Sequence, residues 1–315
     1  MKTLAHVSEQ NAISENSASI GDLIESFLKD HDVKEVSRHG LRRRLRSFTK
    51  WLGNQPLSSI DRNTILEYKR FLIGRQLSSN TVNAYLVGVR VFMTWLETSR
   101  IYPNVATSVK GLKNDRVHRK APLSGEQVLT LINSIKGEDL KSQRDRALVV
   151  LMSKLGPRTI EIVRAKVSDI RIQMGVTVLY LQAKGSDSKD SYVVLSESTL
   201  EPILRYLNSR ENLNSDSPLF ASLHDGSSLN TRSIRRIVRE RLHAASLKSP
   251  YWTAHSLRHT AINLSLLGGA SIFDVQTMVG HRDSQSIAAY ARAIDRLSGN
   301  PEKAVDKYLE EVKSK

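Results

Sequence analysis

Residues 253–269 read TAHSLRHTAINLSLLGG. The run has the apolar content of a helix, yet His255, Arg258 and His259 stand at spacings of three and four, which places them on one helix face. Two other stretches depart from ordinary core in the same way. LGPRTIEIVRAKVSDI (155–170) carries Arg158 and Glu161 one helical turn apart, and MVGHRDSQSIAAYARA (278–293) carries His281 directly after Gly280, with Tyr290 nine residues on.

Together these residue types suit in-line attack on a phosphodiester. Negative charge spreads over the non-bridging oxygens in the transition state, and two guanidiniums, Arg158 and Arg258, can clamp those oxygens without losing charge. A phenol such as Tyr290 ionises near pH ~10, so as a nucleophile it needs a base or a strongly cationic setting. Histidine moves protons near neutral pH. The leaving 5′-oxygen needs an acid, which a lysine on a mobile hairpin can supply. Glu161 is read as the i,i+3 partner that orients Arg158. Each residue also has an ordinary reading: a surface arginine, a core histidine, a packing tyrosine. The combination and its order favour the catalytic one.

Metal-dependent chemistry fits less well. His255 and His259 have ligand spacing and His281 offers a third imidazole. However, Ser256 stands where a zinc protease carries its glutamate, and Arg258 between the histidines repels a dication. A two-metal nuclease needs clustered carboxylates, and none accompany these motifs. No metal and no cofactor are expected.

Outward from these motifs, composition agrees. The 315 residues include 47 Lys and Arg against 32 Asp and Glu, a net charge of +15, which favours a polyanionic partner because each neutralised phosphate releases counterions. Hydrophobic residues at 40% and charged residues at 25% are ordinary for a globular chain. There is no cysteine, hence no disulfide or thiolate chemistry. No apolar run is long enough for a membrane span, no secretory signal is evident, and a cytoplasmic location is expected.

The length suggests two domains. Residues 1–18 are polar and aperiodic, and are read as a disordered tail. Helical periodicity then marks four segments: Ile20–Lys29, Val36–Leu52, one capped by Asp61 and one starting after Ser79. They form a helical bundle over residues 19–109. KGLKNDRVHRK (110–120) sets five cations against Asp115, so 110–121 is read as a basic linker suited to a phosphate backbone. The second domain, 122–315, begins with a helix capped by Ser124 and one over Gln143–Leu155, which Gly156-Pro157 ends. Two strands are expected, VTVLYLQAK (176–184) and SYVVL (191–195), joined by a polar turn. Helices and loops follow. The last helix begins near Pro301 with an apolar stripe of Ala304, Val305, Tyr308, Leu309 and Val312. The fold class is mainly α with a small β-sheet, an α+β catalytic domain behind a helical bundle.

LGPRTIE, AHSLRHT and VGHRDSQSIAAY resemble the tyrosine recombinase family of phage integrases, Xer-type recombinases and transposon resolvases, in order and in spacing, over about residues 19–300. The resemblance implies that Arg158 and Arg258 bind the scissile phosphate, that His255 and His281 assist, and that Tyr290 is the nucleophile. Lys184, in the AKG at the end of the 176–184 strand, falls where the family carries its catalytic lysine, and Lys189 across the turn competes for the role. His259 supports the site. Pro157 departs from the apolar residue usual before the arginine; at a helix's first turn it would still present Arg158.

By the same resemblance, the bundle is the core-binding domain, and the two domains form a clamp around double-stranded DNA bearing specific recombination sites. Four protomers act as a homotetramer through a Holliday junction, with room for accessory DNA-bending proteins or a partner recombinase. The readings this leaves aside are a type IB topoisomerase, whose layout differs, and a DNA-binding protein that cuts nothing and has no use for the phenol.

Overall fold

The computed structural model describes residues 19–113, 122–183, 185–280, 287–288, 290–292, 294 and 301–313. The chain divides into two compact units, Met1–Val117 and His118–Lys315.

The first unit holds four helices: α1 (Ile20–Asp30), α2 (Glu35–Leu52), α3 (Arg62–Gly74) and α4 (Ser79–Thr98). Their starts are written in capping side chains. Ser19 and Asp22 cap α1 reciprocally, and Asp61 accepts the Thr64 amide at 2.8 Å. The fourth helix is capped by Ser78 rather than Ser79. Each helix turns its apolar stripe inward, so that Phe27, Leu45, Phe48, Tyr68, Leu72, Leu86 and Phe92 are fully buried.

The beginning of the basic stretch belongs to this unit. Asn83 exchanges two hydrogen bonds with the backbone of Leu112, at 2.7 and 2.9 Å, and Lys69 donates to the Lys110 carbonyl at 2.9 Å. A Cβ on Gly111 would come within 2.6 Å of the Asn83 amide oxygen, which accounts for a glycine there. Lys110–Leu112 is therefore fastened to the bundle. Of the other cations expected in the linker, Lys113 is the last described residue of this unit, while Arg116, Arg119 and Lys120 lie outside the described residues, as does the tail over 1–18.

The second unit starts with α5 (Gly125–Asn133), capped by Ser124, and α6 (Leu140–Leu155). The latter begins earlier than periodicity indicates, because Asp139 caps a polar first turn by accepting the Ser142 amide at 3.0 Å. A short helix, α7 (Thr159–Arg164), leads to a three-stranded antiparallel sheet, β1 (Ile170–Gln173), β2 (Val176–Leu181) and β3 (Ser191–Val194), in that order.

The first of these strands was not expected. IRIQ is short, carries a charge and sits at the edge, so its alternation is weak. A turn in which Met174 and Gly175 both have positive φ, 49° and 78°, joins it to β2. The second strand ends at Leu181, short of the expected 184. Leu179 and Val193, paired across β2 and β3, face the core. Helices α8 (Glu197–Asn208), α9 (Thr231–Ala244), α10 (Ala254–Leu267) and α11 (Ile272–Val279) follow, then a C-terminal helix, Pro301–Lys313. No helix among the described residues is long and apolar enough to cross a membrane.

A buried ion cluster ties α6 to α9. Asp145, 1% exposed, accepts from Arg144 at 2.8 and 3.0 Å and from Arg241 at 2.7 and 2.9 Å. Removing the shared carboxylate leaves two guanidiniums facing each other in low dielectric. Asp145→Ala is expected to destabilise the second unit by about 3 kcal/mol or more. The check is hydrogen exchange at α6 and α9 amides across a urea series, with the α1–α4 amides of the first unit unchanged.

Candidate active site

The site is built where the end of α6 meets the middle of α10. Gly156 ends α6 in the left-handed conformation, φ 63°, which favours glycine. A Cβ there would come within 3.0 Å of the Ala261 side chain and 3.3 Å of the Arg258 backbone. Glycine thus supplies both the turn and the close approach. Pro157 follows, and Arg158 is the N-cap of α7, so the proline precedes the helix rather than occupying its first turn.

Glu161, one turn into α7 and buried, holds Arg158 twice. Its carboxylate accepts the Arg158 amide at 2.6 Å and the guanidinium at 2.7 Å. The other side of the Arg158 guanidinium reaches the Gly280 carbonyl at 3.4–3.5 Å.

Arg258 comes from α10. That helix starts at Thr253, where Ser256 accepts the Thr253 amide at 2.9 Å and donates to the Tyr251 carbonyl at 2.8 Å. Ser256 is thus part of the helix start. Arg258 is 2% exposed and donates to the Gly156 and Val279 carbonyls, each at 2.5 Å. Burial, and next the neighbouring Arg158 charge, push its pKa down to about 10, while Glu161 opposes the fall. It stays charged at neutral pH. These bonds use two of the guanidinium's five donors. Two arginines and one carboxylate leave a net positive site, which suits an anion.

Tyr290 lies in helical backbone and is half-buried. Its ring packs against a small apolar cluster of Ile262, Val275, Val279 and Ile287, apart from the main core. Burial pushes the phenol pKa above its ordinary value. Its hydroxyl lies 3.0 Å from His259 Nδ1. His255, exposed on the preceding turn, sets its ring edge-on to His259 at 4.6 Å.

The structure therefore brings Arg158, Glu161, His255, Arg258, His259 and Tyr290 together through shared contacts. Lys184 and His281 fall outside the described residues. Lys189 is described. Its ammonium pairs with Asp169 at 2.5 Å, and the same carboxylate accepts the Lys166 amide at 2.7 Å. Asp169 was missed in the sequence. It stands just ahead of the edge strand that local pattern does not announce, so the sequence carries no clear sign that its carboxylate is buried and needs a cation.

This geometry now stands beside known proteins. Residues 122–296 match the Phage integrase family. The chain belongs to that family. It is 24% identical over 281 residues to tyrosine recombinase XerD of Staphylococcus haemolyticus, covering 85% of this chain and 92% of that one. It is 28% identical over 236 residues to tyrosine recombinase XerC of Pelobacter propionicus, covering 73% and 75%. In fold it is similar to the XerH site-specific recombinase bound to a palindromic difH substrate, with TM-score 0.71 and 19% identity over 91% of this chain and 86% of that one. It is also similar to a lambda integrase (75–356) dimer bound to a COC′ core site, with TM-score 0.68 and 16% identity over 85% and 96%. These likenesses establish the integrase fold, a helix-rich unit around a small sheet.

Because Lys189 is committed to a buried carboxylate, the general acid is expected at Lys184. Lys184→Ala should slow DNA cleavage at least about 100-fold. A substrate with sulfur at the 5′-bridging position should restore it, since a thiolate leaves without protonation. Lys189→Ala should show no such rescue. Adduct formation on both substrates is the measurement.

Proposed function

We propose that this integrase-family chain is a site-specific tyrosine recombinase, which cuts and rejoins double-stranded DNA without a metal. One observation carries the reading. The guanidiniums of Arg258 and Arg158 converge on the successive carbonyls of Val279 and Gly280, while His259, next to Arg258, contacts the Tyr290 hydroxyl. Two cations held on adjacent carbonyls, and a phenol in contact with the residue that follows one of them, supply the groups that attack on a phosphodiester requires.

In this mechanism Tyr290 attacks the scissile phosphate, and the arginines neutralise the charge that builds on its oxygens. Glu161 keeps Arg158 in register, and Lys184 protonates the departing 5′-oxygen. His255 and His281 assist in holding the phosphate and moving protons. The 3′-phosphotyrosine conserves the bond energy, so religation to a new 5′-hydroxyl needs no nucleotide. Integration, excision and resolution all consist of this step repeated on two sites, through a Holliday junction.

DNA itself is met by exposed cations. Helix α9 buries Ile234, Ile237, Val238 and Leu242 and leaves Arg232, Arg235, Arg236 and Arg239 exposed. In the bundle, α2 exposes Arg43, Arg46 and Lys50. Such faces suit phosphate backbones and make affinity fall with salt. The proposed working form is a homotetramer on two DNA sites, at a cytoplasmic location. Accessory DNA-bending proteins or a partner recombinase are compatible with it.

Assembly is assigned to the C-terminal helix. Val305, Tyr308, Leu309 and Val312 are each more than half exposed, and a 13-residue helix is marginal alone in water. Docking on a neighbouring protomer covers that stripe.

The nucleophile is tested by Tyr290→Phe, which removes one oxygen and keeps the ring's packing. Gel shifts should show near-normal binding, and denaturing gels no covalent protein–DNA adduct. Adduct at wild-type level would overturn the assignment and direct attention to Tyr308. The assembly is tested by truncation after Ser298. Binding to one half-site should persist, whereas cooperative binding to a full site and recombination should fall sharply. Equal cooperativity in the two proteins would place the helix on its own catalytic domain.

A further inference from the structure

The phenol of Tyr290 poses a problem of its own. Its ring is seated against Ile262, Val275, Val279 and Ile287, and that burial disfavours the phenolate. An attacking oxygen that resists ionisation needs a proton acceptor in contact with it. For such a base the useful range is ~2.6–3.2 Å, and His259 Nδ1 lies 3.0 Å from the Tyr290 hydroxyl. The His259 ring has a second neighbour on its own helix. It projects from α10 one residue past the buried Arg258, and the His255 ring meets it edge-on, at 4.6 Å and 78° between planes. With its proton on Nε2, a neutral imidazole presents the Nδ1 lone pair to the phenol.

We propose that His259 accepts the proton of Tyr290 as the phenol attacks and returns it when the strand is resealed. The proposal rests on Tyr290 being the nucleophile, and gives His259 a catalytic part beyond support. In cleavage the O–H bond of Tyr290 breaks and its proton passes to Nδ1. The electron pair left on the phenol oxygen forms the bond to phosphorus. The bond from phosphorus to the 5′-oxygen breaks, and that oxygen keeps the pair and takes a proton from Lys184. In resealing, the 5′-hydroxyl returns its proton to Lys184 and bonds to phosphorus. The tyrosine–phosphorus bond then breaks, and the phenol oxygen recovers its proton from Nδ1. The transient imidazolium stands beside a phosphate that gains negative charge at the same moment, so the two charges offset each other.

The test uses the full chain and a nicked suicide duplex carrying a site enriched from random-sequence DNA by binding to this protein. His259→Asn places an amide oxygen near the position of Nδ1. It keeps a hydrogen-bond acceptor for the phenol and removes the capacity to take its proton. Binding to the duplex reports that the variant is folded, and His259→Gln replaces it if binding is lost. Adduct formation should fall about 100-fold or more. Installing 3,5-difluorotyrosine at position 290, whose phenol ionises near neutral pH, should bring the variant back to within about tenfold of the unsubstituted protein. Wild-type rates in His259→Asn would show that holding the hydroxyl is enough and would overturn the proposal. A loss that the fluorinated phenol does not repair would overturn it too, by marking the role as structural. Tyr290→Phe in parallel separates the two readings: adduct in that variant removes the premise itself, whereas a dead Tyr290→Phe beside a fully active His259→Asn rejects only the histidine.

Discussion

The guanidinium of Arg258 is a charge with almost no access to water, held by two backbone carbonyls instead of a directly bonded carboxylate. Burying an ion this way is costly unless its surroundings answer it. Here the answer comes from Gly156 at the end of α6 and Val279 at the end of α11, with Glu161 contributing at longer range. One side chain thereby fastens three segments far apart in sequence: the one that presents Arg158, its own helix, and the one that leads to His281 and Tyr290. Lysine cannot take its place, because a point charge lacks the planar fork that reaches two carbonyls and still offers donors to an anion. What remains after these contacts is uncompensated positive charge in a low-dielectric setting, where an arriving phosphate is bound far more strongly than at the surface.

The helix that carries Arg258 accepts a burden of buried polarity to do so. Ser256, Arg258 and Thr260 are all buried in α10. Each is satisfied: Ser256 by the Tyr251 carbonyl, and Thr260 by donating to the Ser256 carbonyl and accepting the Leu123 amide. That last bond joins the first residues of the catalytic unit to its central helix. The site is therefore anchored by hydrogen bonds whose partners lie up to 137 residues apart, and these fix the angle at which the helix crosses the core.

Much of this was legible in the sequence, for a physical reason. Helices with strong stripes and capping side chains announce themselves locally, so α1 to α4 and the Ser124 cap could be placed closely. The motif residues were legible because their chemistry is odd for core positions. What could not be read were features decided by distant partners. The strand over Ile170–Gln173 exists because β2 offers it an edge, and the early start of α6 depends on Asp139 rather than on apolar period. The Asp145 cluster joins groups 96 residues apart, and the Asp169–Lys189 pair spans 20. Local pattern carries no record of such pairings. The contact between His259 and Tyr290 belongs with them, since periodicity assigns each residue a face but not what that face meets.

The two halves of the chemistry are rooted differently. Arg158 caps α7 and Arg258 stands on α10, helices whose Ile162 and Leu257 belong to the large core that also holds Leu148, Leu179, Tyr206 and Phe220. Tyr290 instead rests on the small satellite cluster built around Ile262, Val275, Val279 and Ile287. Few buried apolar contacts mean a low cost of local rearrangement. Among the described residues, the grip proposed for Arg158 and Arg258 thus rests on the large core and the proposed nucleophile on the small cluster. In the proposed tetramer the exposed stripe of the C-terminal helix begins only 15 residues beyond Tyr290, at Val305, so a neighbour that captures the stripe acts closer in sequence to the proposed nucleophile than to the arginines. Differential binding of one element in two arrangements is what lets assembly bias a site.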